Sequence, residues 1–374
     1  MKTAQERKAE RATTTRQERF YPFTLRDQIS AEREHIMNHT ETKNVSWSEI
    51  SAWCTCRQRW HWAYEVGIVP KRVERAPSVG SCGHVAIAAL LRGEDWGAAV
   101  TAWLKRELEK KDMFDEEVQE RQAVADLIRG IIPRYLKAYP DTFVPVLVEA
   151  KFEIPIRGMR ARLIGYWDGI VKGRDGKLWL LEHKFPQQRF RSEEDLELDG
   201  QIGVYQYAAH RLGYPVVGTI YNQLMARLPA EPKLNKDGTV SRARVYTDWP
   251  AYREFLVKQG QDPADYREMM NKLADFTFFQ RNHIYRPLIE VRLFTRDMER
   301  RIWDMRSTHK HIYRSESFIV CGRCPYRELC LESMKGGDTD YIIKEQFEPK
   351  KSREEEINGN QQDPEGADPT TAGA

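Results

Sequence analysis

Residues 163–184 read LIGYWDGIVKGRDGKLWLLEHK. Two apolar runs flank the Arg-Asp-Gly at positions 174–176, a combination typical of a β-hairpin with a three-residue loop. With that loop, Asp168 is predicted to lie directly opposite Glu182, while Glu182 and Lys184 project from the same face. Two carboxylates and an ammonium on one face suit a divalent cation and a reacting phosphate. An exposed face with a cross-strand ion pair is the ordinary alternative.

The composition indicates a globular protein. The chain has 374 residues, 41% of them hydrophobic, enough for the core of one large domain or two ordinary ones. No apolar run reaches the roughly 18 residues of a membrane span, and the first residues are polar and charged. We therefore expect neither membrane insertion nor export and place the protein in the cytoplasm. No GxxxxGK[ST] phosphate loop occurs, which argues against a built-in ATP motor.

The charge is unevenly distributed. Residues 351–374 hold two basic and six acidic side chains, a net charge of −4, whereas the whole chain carries +3. The remainder therefore carries +7. This excess permits a polyanion partner but does not by itself indicate one.

Changes of pattern along the chain predict six segments and a mixed fold. The order strand, strand, strand, helix, strand in the middle of the chain implies a mixed sheet flanked by helices. A helix is expected from Ser46 to Gly67, another is expected to be interrupted near Pro133, and a helical region is expected at about 250–280. The segments are a charged flexible arm at 1–44, a helical part at 45–140, the sheet core at 141–225, a basic hairpin insertion at 226–248, a helical region with cysteines at 249–346, and a disordered acidic tail at 347–374.

Three cysteines near the carboxyl end are spaced for metal binding. Cys321, Cys324 and Cys330 form a C-x2-C-x5-C cluster, and the residues between the first two are of loop type, so packing does not explain the pattern. In a reducing compartment metal ligation is favoured over disulfides. Four thiolates hold either zinc or an iron-sulfur cluster, and spacing alone does not separate the two.

A fourth thiolate has to come from elsewhere in the chain. Cys56 is the best candidate because it lies beside a Trp-rich helix face, Cys54 is the alternative, and Cys82 is the least suitable. A link from Cys56 to residues 321–330 would close most of the ordered chain into a loop. The cluster would then act as a structural clasp that joins the two ends.

Other candidate residues are weak when taken singly. Gln201 and Tyr205 are four apart on the helix predicted after the hairpin and so share a face. His84 alone is more often a core or surface histidine than a ligand. Glu149 and Glu153 face alike on the first strand and could add negative charge to the site, although strand ends carry solvated glutamates routinely.

Taken together, these residues resemble the RecB-like branch of the PD-(D/E)xK nuclease superfamily, which includes the CRISPR-associated iron-sulfur nucleases and the AddB-type nucleases. The resemblance spans residues 46–330, and six individually weak motifs occur in the family's order. They are the opening helix with Ser48, Ile50, Trp53, Cys56 and Trp60; the G-x3-H element Gly80 and His84; the G-x-x-D strand Gly165 and Asp168; the (D/E)-x-K strand Glu182 and Lys184; the Q-x3-Y helix Gln201 and Tyr205; and the terminal Cys321, Cys324 and Cys330.

The resemblance implies a restriction-endonuclease-like α/β core and a 4Fe-4S cluster held by four thiolates. Its offsets select Cys56 over Cys54 as the fourth ligand. The extra thiol of Cys54 is a departure from the family's pattern. His183 is another, because an apolar or aromatic residue is expected there; it is predicted to face away from Glu182 and Lys184 and not to disturb the site.

The resemblance also implies metal-dependent hydrolysis of DNA. Mg2+ or Mn2+ would be held by His84, Asp168 and Glu182, and the histidine favours Mn2+. Lys184 would orient the attacking water and stabilise the phosphate. The remaining motif residues, Gln201 and Tyr205, would position the DNA or the lysine.

The expected substrate is single-stranded DNA or DNA ends, attacked by an exonuclease, with protein partners in recombination or replication. A structure-specific endonuclease or a CRISPR spacer-processing nuclease would use the same site. The alternative from another class is a non-catalytic DNA-end-binding iron-sulfur module. Arg162, Tyr166 and Trp167 are candidates for tracking and stacking a single strand, and Trp167 has a core position as its alternative.

Overall fold

The computed structural model describes residues 44–71, 75–109, 113–140, 143–307 and 309–350. Nearly all of the predicted arm at 1–44, and the predicted tail beyond Lys350, lie outside these residues. Within the described part, no helix is long and apolar enough to cross a membrane.

Strands and helices alternate in blocks. The strands are Val45–Ser46 (β1), Ile68–Pro70 (β2), Val144–Pro155 (β3), Arg162–Lys172 (β4), Leu178–Lys184 (β5), Val216–Leu224 (β6), Phe279–Tyr285 (β7) and Phe347–Pro349 (β8). The α-helices are Trp47–Thr55 (α1), Arg57–Trp60 (α2), Arg75–Arg92 (α3), Trp96–Leu108 (α4), Asp115–Ala138 (α5), Glu193–Glu197 (α6), Gly200–Arg211 (α7), Trp249–Lys258 (α8), Arg267–Leu273 (α9), Leu288–Arg306 (α10), Phe318–Gly322 (α11), Arg327–Lys335 (α12) and Thr339–Gln346 (α13).

A six-stranded mixed sheet organises the fold. The strands β3, β4 and β5 form an antiparallel meander, β6 runs parallel to β5, and β7 runs antiparallel to β6. β1 pairs in parallel with the beginning of β4. Since β3 pairs along the whole of β4, β1 and β5 share the opposite edge of that strand, and the sheet has a gap between them. The predicted mixed sheet flanked by helices is confirmed.

Two hydrophobic clusters hold helices against the sheet. The first joins α1, α2, α7 and α10 to β3, β4 and β5, with Phe152 and Trp167 stacked at 4.8 Å between ring centroids. The second joins α3, α4 and α5 to the ends of β6 and β7. The strand β5 is buried from Trp179 to His183, which explains its nearly continuous apolar run.

The helix predicted from Ser46 to Gly67 is broken at Cys56. Ser46 caps its start as expected, accepting from the backbone N–H of Glu49 at 3.2 Å. Cys56 is extended, with φ −163° and ψ 114°, and α2 and a π-helical turn then continue to Gly67. Long-range contacts redirect the chain here, since Gln58 donates its backbone N–H to the carbonyl of Tyr313.

Pro133 does not interrupt its helix, contrary to expectation. The helix α5 runs through it from Asp115 to Ala138. A proline inside a helix costs about 3 kcal/mol. Burial of neighbouring apolar side chains, including Ile131, Ile132 and Tyr135, in the second cluster offsets that cost.

Two further predictions differ from the structure. The helical region predicted at 250–280 is shorter, because α8 and α9 are followed by the edge strand β7. The tail predicted to be disordered from 347 begins with β8, which pairs antiparallel with β2, and Phe347 is buried against Tyr326. Pairing and burial of one aromatic ring extend the ordered chain into this charged segment.

The predicted turn of the basic insertion is present, with Leu234 and Val240 bridged across it.

Gly165 of the G-x-x-D motif is required by packing, and Gly80 of the G-x3-H motif is not. A Cβ at Gly165 would overlap the fully buried ring of Phe152, whereas a Cβ at Gly80 would meet nothing within 4 Å. We expect Gly165→Ala to destabilise the protein by about 1–3 kcal/mol in chemical denaturation. Gly80→Ala is the matched control and should be neutral or stabilising, since alanine favours helix. Equal destabilisation by both variants would contradict this packing.

Candidate active site

The hairpin β4–β5 has the predicted register and loop. Its ladder pairs Lys172 with Leu178 and continues to Gly169 with Leu181. Gly176, in the left-handed region at φ 77°, completes the three-residue loop. The register therefore follows from turn chemistry and period-2 patterning, as the sequence predicted.

Beyond Gly169 the ladder stops and Asp168 occupies the gap in the sheet. Its Oδ2 accepts a hydrogen bond of 2.7 Å from the backbone N–H of His183. Trp167 and Ile170, three residues apart, lie in one hydrophobic cluster, so regular alternation of faces does not hold across Asp168. The carboxylate thus lies between the separating strands and does not form a simple cross-strand pair with Glu182.

His84 and Glu149 meet Asp168 at this gap. The Nδ1 of His84 lies 3.3 Å from Asp168 Oδ1 and 3.8 Å from Glu149 Oε1. Potential ligand atoms of the three residues all lie within 4.8 Å of one another, the one such group among the described residues. One imidazole and two carboxylates suit Mn2+ or Mg2+.

Glu149 is the member of this group that sequence reasoning treated as secondary. It lies on β3 between residues paired with Gly169 and Trp167, which places it opposite Asp168. Its φ of 48° is in the left-handed region, uncommon for a non-glycine residue and often associated with functional sites. The sequence showed the glutamate, but it predicted neither this backbone conformation nor the contact of Glu149 with His84.

Glu182 interacts with Lys184 and Gln201 and lies outside the three-residue group. Lys184 Nζ donates to Glu182 Oε1, and Gln201 Nε2 donates to the same oxygen at 3.3 Å. Asp199 caps α7 by accepting from the backbone N–H of Gln201 at 2.7 Å, which places Gln201 in the first turn of the helix. The predicted shared face of Glu182 and Lys184 is therefore present, and Gln201 reaches the same carboxylate from α7.

Charge and burial perturb the ionisable groups strongly. Burial raises the pKa of Glu182 to about 7, despite the opposing charge of Lys184. Burial also acts to raise the pKa of Asp168, but His84, His183 and Lys184 together hold it well below its usual value. For Lys184, burial opposes the charged form, yet Glu182 and Asp168 raise its pKa. Perturbed pKa values of this kind cluster at functional sites.

Tyr205 lies under this group on α7. Burial raises its pKa to about 12, and it shares a hydrogen bond with Gln201. Its ring is edge-on to Phe152 at 5.2 Å between centroids. Gln201 and Tyr205 thus form a support beneath Glu182, consistent with their predicted side-by-side arrangement.

Of the three residues predicted to contact single-stranded DNA, one is buried in the core and two reach the surface. Trp167 is 2% exposed and stacks on Phe152, so it is a core residue and does not track DNA. Arg162 is half-exposed but pairs with Glu153, its Nε lying 2.6 Å from Oε1. Tyr166 is partly exposed.

His183 was predicted not to disturb the site, yet it contacts Asp168. Besides its backbone N–H, its Nδ1 lies 3.6 Å from Asp168 Oδ2, and the ring is buried. The sequence did give one sign of this contact, because His183 is a polar residue at a position of a central strand that is expected to be buried. Its partner could not be identified without the separation of β4 and β5.

The cysteines of the terminal cluster lie near the amino-terminal helices. Burial raises the pKa of Cys324, and the nearby thiols of Cys56 and Cys321 raise it further. Cys330 Sγ accepts from Arg314 Nε at 3.1 Å. Burial also raises the pKa of Cys54, where the nearby charges belong to Arg57, Arg301 and Asp304. Cys56 is thus the amino-terminal thiol beside the cluster.

Contacts between the two ends of the described chain surround these thiols. Tyr326 donates its hydroxyl to the carbonyl of Ile68 at 2.7 Å, and β2 pairs with β8. Cys324 packs with Tyr326 in the same small hydrophobic cluster as Ile68. Cys82 is fully buried in the helical cluster of α3 to α5, and burial raises its pKa to about 12.

Comparison with known proteins agrees with the geometry of the site. The family model described as the PD-(D/E)XK nuclease superfamily matches residues 44–331. No curated protein gave a significant match. Among solved structures, the crystal structure of SSO0001 is similar with 13% identity, 80% of this chain and 92% of that chain covered, and a TM-score of 0.33, a likeness too distant to support further argument.

The family match covers most of the chain and includes every element that contributes to the gap. Enzymes of this superfamily are hydrolases that cleave phosphodiester bonds with divalent metal ions. The strands β4 and β5 carry Asp168, Glu182 and Lys184, the residues predicted from the sequence for the superfamily motif, and both strands lie within the matched range. The chain belongs to the PD-(D/E)XK nuclease superfamily.

Proposed function

We propose that this protein is a RecB-like exonuclease that hydrolyses phosphodiester bonds in single-stranded DNA or at DNA ends. The observation that carries the proposal is the convergence of His84 and Asp168, from a helix and a strand, beside the Glu182–Lys184 pair. The ladder between β4 and β5 is interrupted at that point.

The donor atoms at the gap fit a divalent cation. His84 Nδ1 and oxygens of Asp168 and Glu149 would hold it, and the imidazole favours Mn2+ over Mg2+. Glu182, outside this group, is the further carboxylate ligand that the family resemblance implies. When bound, such an ion lowers the pKa of water and offsets the charge that develops on phosphate. The depressed pKa of Asp168 keeps this carboxylate ionised and ready for a cation throughout the neutral range.

Lys184 supplies the positive charge for the reaction. In hydrolysis a water oxygen joins phosphorus, one P–O bond to the sugar breaks, and the leaving oxygen takes up a proton. The ammonium of Lys184, partly buried and held by Glu182, would orient that water and stabilise the negative charge on phosphate. Gln201 and Tyr205 would keep the glutamate and lysine in position.

We propose that Cys56, Cys321, Cys324 and Cys330 hold a 4Fe-4S cluster. Cys324 lies close enough to the thiols of Cys56 and Cys321 for both to raise its pKa. Four thiolates can hold zinc or an iron-sulfur cluster, and the family resemblance favours 4Fe-4S. Its role would be that of a clasp, because it joins α11 and α12 to the start of α2.

The substrate experiment uses wild-type protein and end-labelled linear DNA, single- and double-stranded, beside closed circular single strands. With Mn2+ or Mg2+, we expect labelled linear DNA to be shortened and the circle to survive, and EDTA should stop the reaction. Cleavage of the circle would favour a structure-specific or spacer-processing endonuclease. Metal-dependent binding of ends without any cleavage would favour the non-catalytic end-binding module.

Glu149 provides a separate prediction about metal binding. Because ligand binding stabilises only the folded state, Mn2+ at about 100 times its Kd should stabilise the wild type by about 2.7 kcal/mol. We expect Glu149→Gln to lose most of the resulting rise in melting temperature, since it removes an anionic ligand.

Glu153→Gln is the control for that prediction. Glu153 lies on the same strand and pairs with Arg162 and Lys151, away from His84. Its variant should retain the Mn2+-induced shift measured by differential scanning fluorimetry. If Glu149→Gln and Glu153→Gln respond to Mn2+ alike, Glu149 is not a ligand.

A further inference from the structure

A buried chain of polar side chains leads from Arg281 to Asp168. Arg281 Nε donates to Asn222 Oδ1 at 2.7 Å, and Asn222 Nδ2 lies 3.3 Å from His183 Nε2. The other ring nitrogen, His183 Nδ1, lies 3.6 Å from Asp168 Oδ2 and has no hydrogen-bond partner among the described residues. Asn222 and His183 are almost completely buried, so an unused polar atom there requires an explanation.

The charge of Arg281 determines the direction of every hydrogen bond in this chain. A guanidinium only donates, so the Asn222 atom facing it must be the carbonyl oxygen. The amide nitrogen of Asn222 therefore faces His183 and donates to Nε2. A ring nitrogen that accepts carries no proton, so the ring proton lies on Nδ1. The Nδ1–H then has Asp168 Oδ2 as its nearest acceptor.

We propose that His183 is a positioning residue that holds Oδ2 of Asp168 and leaves Oδ1 for the metal ion. This inference rests on the proposed metal-dependent function. Oδ2 already accepts the backbone N–H of His183 at 2.7 Å, whereas Oδ1 faces His84. A small closure of the 3.6 Å gap adds a second bond from the same residue. Outer-shell groups of this kind orient a ligand, and their loss typically lowers metal affinity about 10–100-fold.

Aromatic side chains anchor the far end of the chain. The guanidinium of Arg281 lies 4.1 Å from the ring centroid of Tyr139 and donates to the hydroxyl of Tyr135 at 2.9 Å. These contacts hold Arg281 in one orientation. If the Asn222 amide were reversed, its NH2 group would face the N–H of Arg281, and two donors would meet without an acceptor. The tautomer of His183 is thereby determined from the edge strand β7, through the directly paired residues His183, Asn222 and Arg281.

The first test reads the tautomer directly in metal-free protein. Histidine labelled with 15N distinguishes a protonated from an unprotonated ring nitrogen by NMR, and His183→Asn identifies the His183 signals among the nine histidines. We expect a protonated Nδ1 and an unprotonated Nε2. In Asn222→Asp the carboxylate cannot donate, so Nε2 should gain a proton. A proton on Nε2 in the wild type would overturn the proposal.

The second test measures Mn2+ affinity by calorimetry, with folding checked by circular dichroism. His183→Asn keeps an N–H close to the position of Nδ1 and should bind within about threefold of the wild type. His183→Phe keeps a ring without a donor and should bind about 10–100-fold more weakly. Equal affinity of the Asn and Phe variants would overturn the positioning role. If Asp168→Asn binds Mn2+ as the wild type does, the proposed metal site is wrong. The NMR experiment on metal-free protein tests the hydrogen-bond chain independently of that result.

Discussion

Lys184→Ala is expected to lower the rate of metal-dependent DNA cleavage by about a hundredfold or more. The ammonium is preorganised by Glu182 beside Asp168, and removal of one such charge from a transition state typically has an effect of this size. Because the proposed role of Lys184 is in catalysis, DNA binding should change far less than the rate. The measurement compares single-turnover rates on end-labelled single strands with Mn2+.

Asp168→Ala should reduce the rate at least as much, because it removes the carboxylate on which His84 and His183 converge. Lys177→Ala is the matched control, since that lysine lies at the turn of the same hairpin, is mostly exposed and pairs only loosely with Asp175. It should cleave at the wild-type rate. Equal cleavage by the wild type, Asp168→Ala and Lys184→Ala would mean that the active site is misassigned.

Cys56→Ser is expected to remove the iron-sulfur cluster and to destabilise the protein. Protein purified anaerobically should be brown, with broad absorbance near about 400 nm, and the variant should lose colour and iron. In such sites metal binding contributes directly to folding, so losing several kcal/mol should lower the melting temperature by about 10 °C or more. Contacts such as β2 with β8 would still join the two ends.

Cys54→Ser is the control for the clasp. Cys54 is exposed on α1, two residues away, beside Arg57 and Asp304. Its variant should keep both colour and melting temperature. Loss of iron from Cys54→Ser with retention in Cys56→Ser would reverse the assignment of the fourth ligand, and colourless wild-type protein containing zinc would exclude the iron-sulfur cluster.

Local patterns were sufficient for the hairpin and for the order of the motifs. The loop at residues 174–176 and the apolar runs around it specify a register in which a one-residue slip would expose buried side chains. The same patterns placed Gln201 and Tyr205 side by side on one helix. Each of these features depends on residues close together in the chain, so sequence alone determined it.

Structural features that depend on contacts between distant segments could not be predicted from local sequence patterns. The break at Cys56 depends on contacts with residues more than 240 positions later, such as the ion pair of Arg57 with Asp304. Pro133 lies inside a helix because burial of its neighbours outweighs a local preference. Local propensity is weak compared with tertiary packing, which explains why both expectations were wrong.

The active site combines the two kinds of information. Sequence predicted which groups carry chemistry, since the hairpin pattern brings Asp168, Glu182 and Lys184 together and the order of the other motifs gives the family resemblance. Only the tertiary structure decided how Asp168 is used, because β4 and β5 separate just beyond Gly169 and admit His84, Glu149 and the N–H of His183. Period-2 alternation predicts the face of the sheet to which each side chain points while two strands stay paired. It cannot predict where the strands separate, because that position depends on the packing of both helical layers.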